Sequence, residues 1–217
     1  MTGFIYTPAI LDRLELTLSA ERLSTYQAQA SGNRELAIKL YCWNIALSET
    51  LYGPVQSLEV VVRNALHERL TAAFGTTWYD IPASGLAGHL IDRVSAAKDS
   101  LTSQGKPHTS GRLIAELNFG FWLGVLTKHY DTGLWRPHLY HAFPNARKPF
   151  RRSDAYQALD RIRRLRNRIA HHEPILTRPL DADHAVILEV VGWICPETAA
   201  WINNHSRFNE VWKKRPT

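Results

Sequence analysis

The sequence predicts an all-α protein, a single helical domain over residues 1–217, on three observations. Apolar residues recur three and four apart between turn signals. No stretch alternates apolar and polar residues as a half-buried strand does. One segment near residue 160 carries both a start and a stop signal for a long helix. Turn residues punctuate the chain at Gly32-Asn33, Gly53-Pro54, Gly75, Pro82, Gly105-Lys106-Pro107, Gly133, Pro137, Pro144, Pro149, Pro174, Pro179 and Pro196. The intervals between them suit about seven to nine helices of ordinary length. No internal repeat or linker-like stretch divides the 217 residues, enough for one sizeable core.

In chain order, Leu58, Val61, Val62, Ala65, Leu66 and Leu70 recur at helical spacing after the Gly53-Pro54 turn. They predict a helix from Pro54 to Leu70 despite the β-leaning run Val60-Val61-Val62. "LNFGFWLGVL", residues 117–126, is almost wholly apolar, with Gly120 and Gly124 one turn apart where a missing Cβ lets another backbone approach. It is core, being about half the length a membrane crossing requires. Leu180 to Ile194 reads as a helix with Ala185, Leu188 and Val191/Gly192 along its inner side. Trp122, Trp135, Trp193 and Trp201 are expected inside. Tyr140, His141 and Phe143 are expected exposed, where they can stack on bases.

At 45% hydrophobic and 21% charged, the composition excludes a disordered chain or a disulfide scaffold. Cys42 and Cys195 lack CxxC or Cys/His spacing and are expected as buried thiols of a reducing compartment. The opening "MTGFIYTPAILDRLELTLSAERL" has acidic residues and no basic region before an apolar core, unlike a secretory signal. No apolar run approaches membrane-spanning length. The expectation is a cytoplasmic protein with no membrane partner.

The net charge of +6 is local. Nine Lys/Arg and two Asp lie between Arg147 and Arg168, so the rest of the chain is close to neutral. Such a patch suits nucleic acid, the commonest cytoplasmic polyanion, and equally a solvated helix face.

That patch sits on a helix predicted from about residue 154 to residue 172, with Ser153 as N-cap and Pro174 as the stop. At about 100° per residue, Ala158, Leu159, Ile162, Leu165 and Ile169 share one arc, and Arg166 falls inside it. Arg163, Asn167 and His171 line one edge. Arg161, Arg164, Arg168 and His172 spread over the far side and look solvated. An arginine within an apolar stripe either snorkels or meets a fixed acceptor. A structural ion pair satisfies Arg166, and so does a site in which Asn167 and His171, four apart, act on one ligand. Glu59, Arg63 and His67 are successive i,i+4 neighbours, a charge ladder or a second part of that site. "HHE" at 171–173 suggests a metal, but HExxH is absent and adjacent helical histidines point about 100° apart, so no metal is expected.

These residues resemble a known family. Arg166-Asn167-Arg168-Ile169-Ala170-His171 matches the RxxxxH motif of HEPN domains, in the RNxxxH form usual there. The wider chain is similar to the Abi-like (abortive infection) branch of that superfamily, through "LEVVVRNAL" at 58–66, "FGTTWY" at 74–79, "LNFGFW" at 117–122, "LW" at 134–135 and "LRNRIAHHEPI" at 165–175. The match covers roughly residues 40–176, and the last forty residues carry no motif.

The resemblance implies a HEPN-type bundle with additional N- and C-terminal helices. It also implies a homodimer with a catalytic cleft built from both subunits, and metal-independent endoribonuclease activity in antiphage defence or as a toxin with a neutralising antitoxin. On it, His171 is the general acid or base, a task for which histidine's ordinary pKa near 6.5 suits it. Arg166 holds the scissile phosphate, and Asn167 orients His171 or donates to a phosphate oxygen. Glu59 is the candidate carboxylate for Arg163 or Arg166. Arg63 is a second phosphate or structural contact, with His172 in support. Arg151, Arg152, Arg164 and Arg168 are expected to bind RNA. No glycine-rich phosphate loop accompanies the site, so no nucleotide cofactor is expected. Two rival readings are a non-catalytic RNA-binding or protein-interaction module using the same dimer face, and a metal-dependent hydrolase using His171, His172 and Glu173.

Overall fold

A computed structural model describes residues 4–217, and the first three residues of the N-terminal stretch lie outside it. Among the described residues there are ten α-helices and no strand, with short 3₁₀ and π turns between Trp78 and Ala142. The helices are α1 (Pro8–Leu18), α2 (Ala20–Gln29), α3 (Arg34–Phe74), α4 (Gly88–Ser103), α5 (Ser110–Glu116), α6 (Phe119–Gly124), α7 (Arg152–Ala170), α8 (Leu180–Ile194), α9 (Pro196–His205) and α10 (Phe208–Trp212). Ten helices exceed the expected number because the N- and C-terminal regions break into short pieces.

Helix α3 organises the rest. It has 41 residues, packs against α2, α6, α7, α8, α9 and α10, and runs straight through Gly53-Pro54, where the sequence predicted a turn. Magnitudes explain the difference. An interior proline costs about 3 kcal/mol. Leu47, Leu51, Val55 and Leu58 on either side are all buried, each contributing roughly 1.5–3 kcal/mol, and only a continuous helix keeps them on one stripe. Asn33 starts the helix, its Oδ1 accepting from the Leu36 N–H, and Gly75 ends it at φ +86°.

The apolar segment at 117–126 is core, as α6 and the turn after it. A Cβ on Gly124 would lie 2.7 Å from Leu90 Cδ2, so this glycine is what lets α6 meet α4. Trp78, Phe121 and Trp122 form one aromatic cluster, and Trp135, Phe143, Phe150 and Trp193 another. Phe143 is therefore buried, contrary to expectation, because it packs against Trp135, Phe150 and Trp193. Trp193 is half-buried, and Trp201 is 56% exposed on the outer side of α9. Cys42 is exposed on α3 rather than buried, and neither cysteine is bonded to the other.

In α8 the buried side is Leu180, Asp183, His184, Ile187, Val190 and Val191, and Ala185 is exposed. The inner face is thus one residue out of step with the predicted one, because α8 turns the polar Asp183 and His184 inward. Asp183 is completely buried and takes both Arg161 of α7 and Arg178 of the preceding turn. The unplaced C-terminal residues close one side of α3: Trp43 Nε1 donates to the Val211 carbonyl, and Trp43 stacks on Trp212. No helix among the described residues is long and apolar enough to cross a membrane.

Candidate functional site

Helix α7 begins two residues earlier than Ser153 predicts. Arg151 is the N-cap residue, and its backbone N–H donates to Asp154 Oδ2 at 2.8 Å. At the other end the helix stops at Ala170, two residues short of the expected limit. The His171 N–H still donates to the Asn167 carbonyl at 2.9 Å, so His171 keeps helical register. The chain turns at His172, which has φ +57°.

That turn is held from three sides. Arg22 of α2 donates to the His172 carbonyl, Arg168 donates to the Pro174 carbonyl at 3.1 Å, and the Ile175 N–H donates to the buried Asn44 Oδ1 of α3 at 2.8 Å. His171 itself is exposed at the end of a fixed turn. Arg22 and Asn44 were not identified from sequence. Asn44 left a trace, as one amide among the apolar positions of "CWNIAL", whereas Arg22 left none.

Arg166 Nε lies 3.1 Å from Glu59 Oε1, with 43% of the arginine side chain and 25% of the glutamate exposed. The pair borders a groove of about 250 Å³ between α3 and the end of α7, whose apolar wall includes Val55 and Ile169. Tyr52 lines its edge and is largely exposed. Glu59 therefore meets Arg166, not Arg163. Arg163 and Arg164 instead both bind Asp160, within one turn of α7. Burial acts to raise the pKa of Asp160, but hydrogen bonds from the two arginines outweigh it and hold the carboxyl below the usual carboxylate range.

The Glu59, Arg63 and His67 ladder does not form. Glu59 turns to α7, and His67 Nδ1 accepts from Trp78 Nε1 at 3.0 Å. Arg63 is left with a buried Nε that has no hydrogen-bond partner. Burial, reinforced by the Arg63 cation, lowers the His67 pKa.

The arginines expected to be solvated are partly engaged. Arg161 is bound to Asp183, Arg168 lies 3.5 Å from Glu173, and Arg164 stays largely exposed despite Asp160. Arg151 is exposed. Arg152 is mostly buried, donating to the Leu126 carbonyl. Among the described residues no group of three or more His, Cys, Asp or Glu converges as metal ligands do, and His171, His172 and Glu173 do not form such a set.

Compared with family models, curated proteins and solved structures, the chain matches none. The site therefore rests on its own geometry. It offers an exposed imidazole on a pinned turn, an amide one turn before it, and a guanidinium open to a groove, with a further unpartnered guanidinium, Arg63, four residues beyond Glu59.

Proposed function

We propose that the protein is a homodimeric, metal-independent endoribonuclease of the HEPN type, in the Abi-like branch, acting in antiphage abortive infection or as the toxin of a toxin–antitoxin pair. The observation that carries the reading is that His171 is exposed on a turn fixed by three hydrogen bonds, two of them to α2 and α3, while Arg166, five residues earlier, borders a groove. Positioning of this kind suits proton transfer better than a solvated helix end does.

In this reading an imidazole takes the proton of the substrate's 2′-hydroxyl as that oxygen attacks the neighbouring phosphorus. The bond to the 5′-oxygen breaks, the leaving oxygen receives a proton, and the products carry a 2′,3′-cyclic phosphate and a 5′-hydroxyl. Arg166 offsets charge on the non-bridging oxygens, and Asn167 orients the imidazole or the phosphate. Arg166 and His171 are five residues apart, hence about 140° apart around the helix. The His171 N–H keeps its bond to the Asn167 carbonyl, which favours a second copy over a distorted last turn as the means of bringing the two together. A second copy docked on the groove, across the exposed Tyr52 at its edge, supplies the complementary half from its own α7. Arg63 in this arrangement is a phosphate contact awaiting its ligand.

The deciding experiment is cleavage of mixed RNA in excess EDTA, with end-group analysis. Cyclic phosphate ends, loss of cleavage at a 2′-deoxy residue, and a two- to four-order drop in turnover for His171→Ala with affinity retained are expected, the drop being about the usual weight of acid–base catalysis. Products ending in 3′-hydroxyl and 5′-phosphate would exclude the route. The ion pair that occupies Arg166 favours the second reading, a non-catalytic RNA-binding or interaction module, which absence of cleavage under every condition would support.

A further inference from the structure

A second pocket, of about 530 Å³, opens at the start of α7, at the opposite end from His171. That volume falls in the usual range for small-molecule and nucleotide-sized ligands, roughly 300–1,000 Å³. Arg136, Arg151 and Arg152 line it, with Tyr140 and Phe150 as an aromatic wall and Ser153 at its edge. Both rings pack against the buried Trp135, with centroids 6.0 and 5.8 Å away, which fixes the wall in place.

The charges in this pocket do not balance. Asp131 is its one carboxylate, shared between Arg136 at 2.8 Å and Arg152 at 3.6 Å. The Arg152 Nε is buried without a hydrogen-bond partner, and Arg151 makes no ion pair among the described residues. The helix end is not the attraction, because Asp154 already accepts from the Arg151 N–H. Side-chain guanidinium groups beside fixed ring faces remain, and that combination takes a phosphate and its neighbouring base.

Its place on α7 links the pocket to the first site. Ser153 and His171 are 18 residues apart, which is five whole turns of an α-helix, so they lie on one line along it. The residues between them on that line are Gln157, Asp160, Arg164 and Asn167. Asp160 is covered by Arg163 and Arg164, so the track presents amide and guanidinium groups rather than a bare carboxylate. Its length is about 27 Å at 1.5 Å per residue. That spans about eight nucleotides stacked at 3.4 Å each, and fewer if the strand is stretched.

We infer that this pocket anchors a single-stranded RNA up to about eight nucleotides from the phosphate at His171, one base against Tyr140 and Phe150 and its phosphates on Arg136 and Arg151. The inference rests on the ribonuclease reading for what happens at the far end of the track, but its test is a binding measurement.

In the His171→Ala protein, which under that reading leaves RNA uncut, a labelled oligouridylate of about 15 nucleotides is expected to bind about tenfold or more tighter than one of about five. The Arg136→Gln/Arg151→Gln variant loses that length advantage. It also lowers the slope of log affinity against log salt by about 1.4, two phosphates at about 0.7 each. Tyr140→Ala weakens the longer strand without changing the slope, and Tyr140→Phe restores it. An unchanged length advantage and slope in the double variant overturn the inference. So does a polyglutamate peptide that binds as tightly as the RNA and responds alike to both variants, since the pocket would then serve an acidic protein. The two readings fail separately. Wild-type protein that cuts no RNA yet keeps length-dependent binding supports the pocket while removing the nuclease, and cleavage without length dependence removes only the pocket.

Discussion

Arg166 and Glu59, 107 residues apart in sequence, meet at 3.1 Å at the border of the α3–α7 groove. Both side chains keep contact with solvent, so the pair is worth at most about 1 kcal/mol of stability after screening. Its weight in the proposed reaction is far larger. Glu59→Gln should lower the unfolding free energy by no more than about 1 kcal/mol. Arg166→Ala, with a similarly small stability loss, should lower RNA cleavage by about a hundredfold or more, the scale for losing a charge-stabilising donor. Urea titrations beside initial rates make the comparison. Arg166→Ala that unfolds the protein while Arg166→Lys cleaves normally would make the residue structural.

The way that pair was anticipated shows where the sequence is legible. Arg166 breaks an apolar helical stripe, and a charge there demands a partner, whereas Glu59 is a candidate for Arg163 or Arg166 only through the family resemblance of its segment. Asp183 also breaks a stripe, but an acidic residue in the first turn of a helix has a local explanation in the dipole, which hides its burial. Gly53-Pro54 misled for the opposite reason: its local meaning is a turn, and only the burial of Leu47, Leu51, Val55 and Leu58 against distant helices overrides it. Periodicity thus located α7 and α8, while the anchors of the His171 turn act through contacts more than a hundred residues away in sequence, Asn44 leaving only an amide among apolar positions and Arg22 nothing.

Asp183 should prove the most sensitive polar position. It is fully buried, with Arg161 on Oδ1 and Arg178 on both oxygens, clasping α7 to α8. Removing one partner of a buried pair costs about 3–5 kcal/mol, because the remaining charge stays desolvated. Asp183→Ala is expected to lose about 3 kcal/mol or more in urea unfolding, or to fail to accumulate as folded protein. A loss below about 1 kcal/mol would mean that the clasp opens to water.

Stability should fall on mild acidification. Burial, with the Arg63 cation adding to it, lowers the folded-state pKa of His67, and burial lowers that of His184. The unfolded chain therefore binds more protons once the pH drops below about 6.5, so stability present above that value is lost as the pH falls toward the lower folded values. Protonating His67 also removes the acceptor of the Trp78 indole. Tm is expected to decrease between about pH 7.5 and about pH 5.5, and less steeply in His67→Gln. A flat or rising Tm across that interval would contradict the neutral, buried state of both rings.

The composite site has the sharpest consequence. His171 keeps its helical hydrogen bond to Asn167, so Arg166 and His171 of one chain diverge by about 140°, and in the proposed dimer a second α7 supplies the missing half of each centre. An Arg166→Ala chain retains His171, and a His171→Ala chain retains Arg166, so a heterodimer of the two contains one complete centre and one empty one. Random mixing makes half the dimers mixed, each with one of its two centres intact, and activity should return to about a quarter of the wild-type level from parents that both lack it. Sedimentation should show a dimer at micromolar concentration, and Tyr52→Glu, which places a charge on the exposed edge of the groove, should abolish both dimer and activity together. A fully active monomer, or mixtures that recover nothing while mixed dimers demonstrably form, would place each centre within one chain.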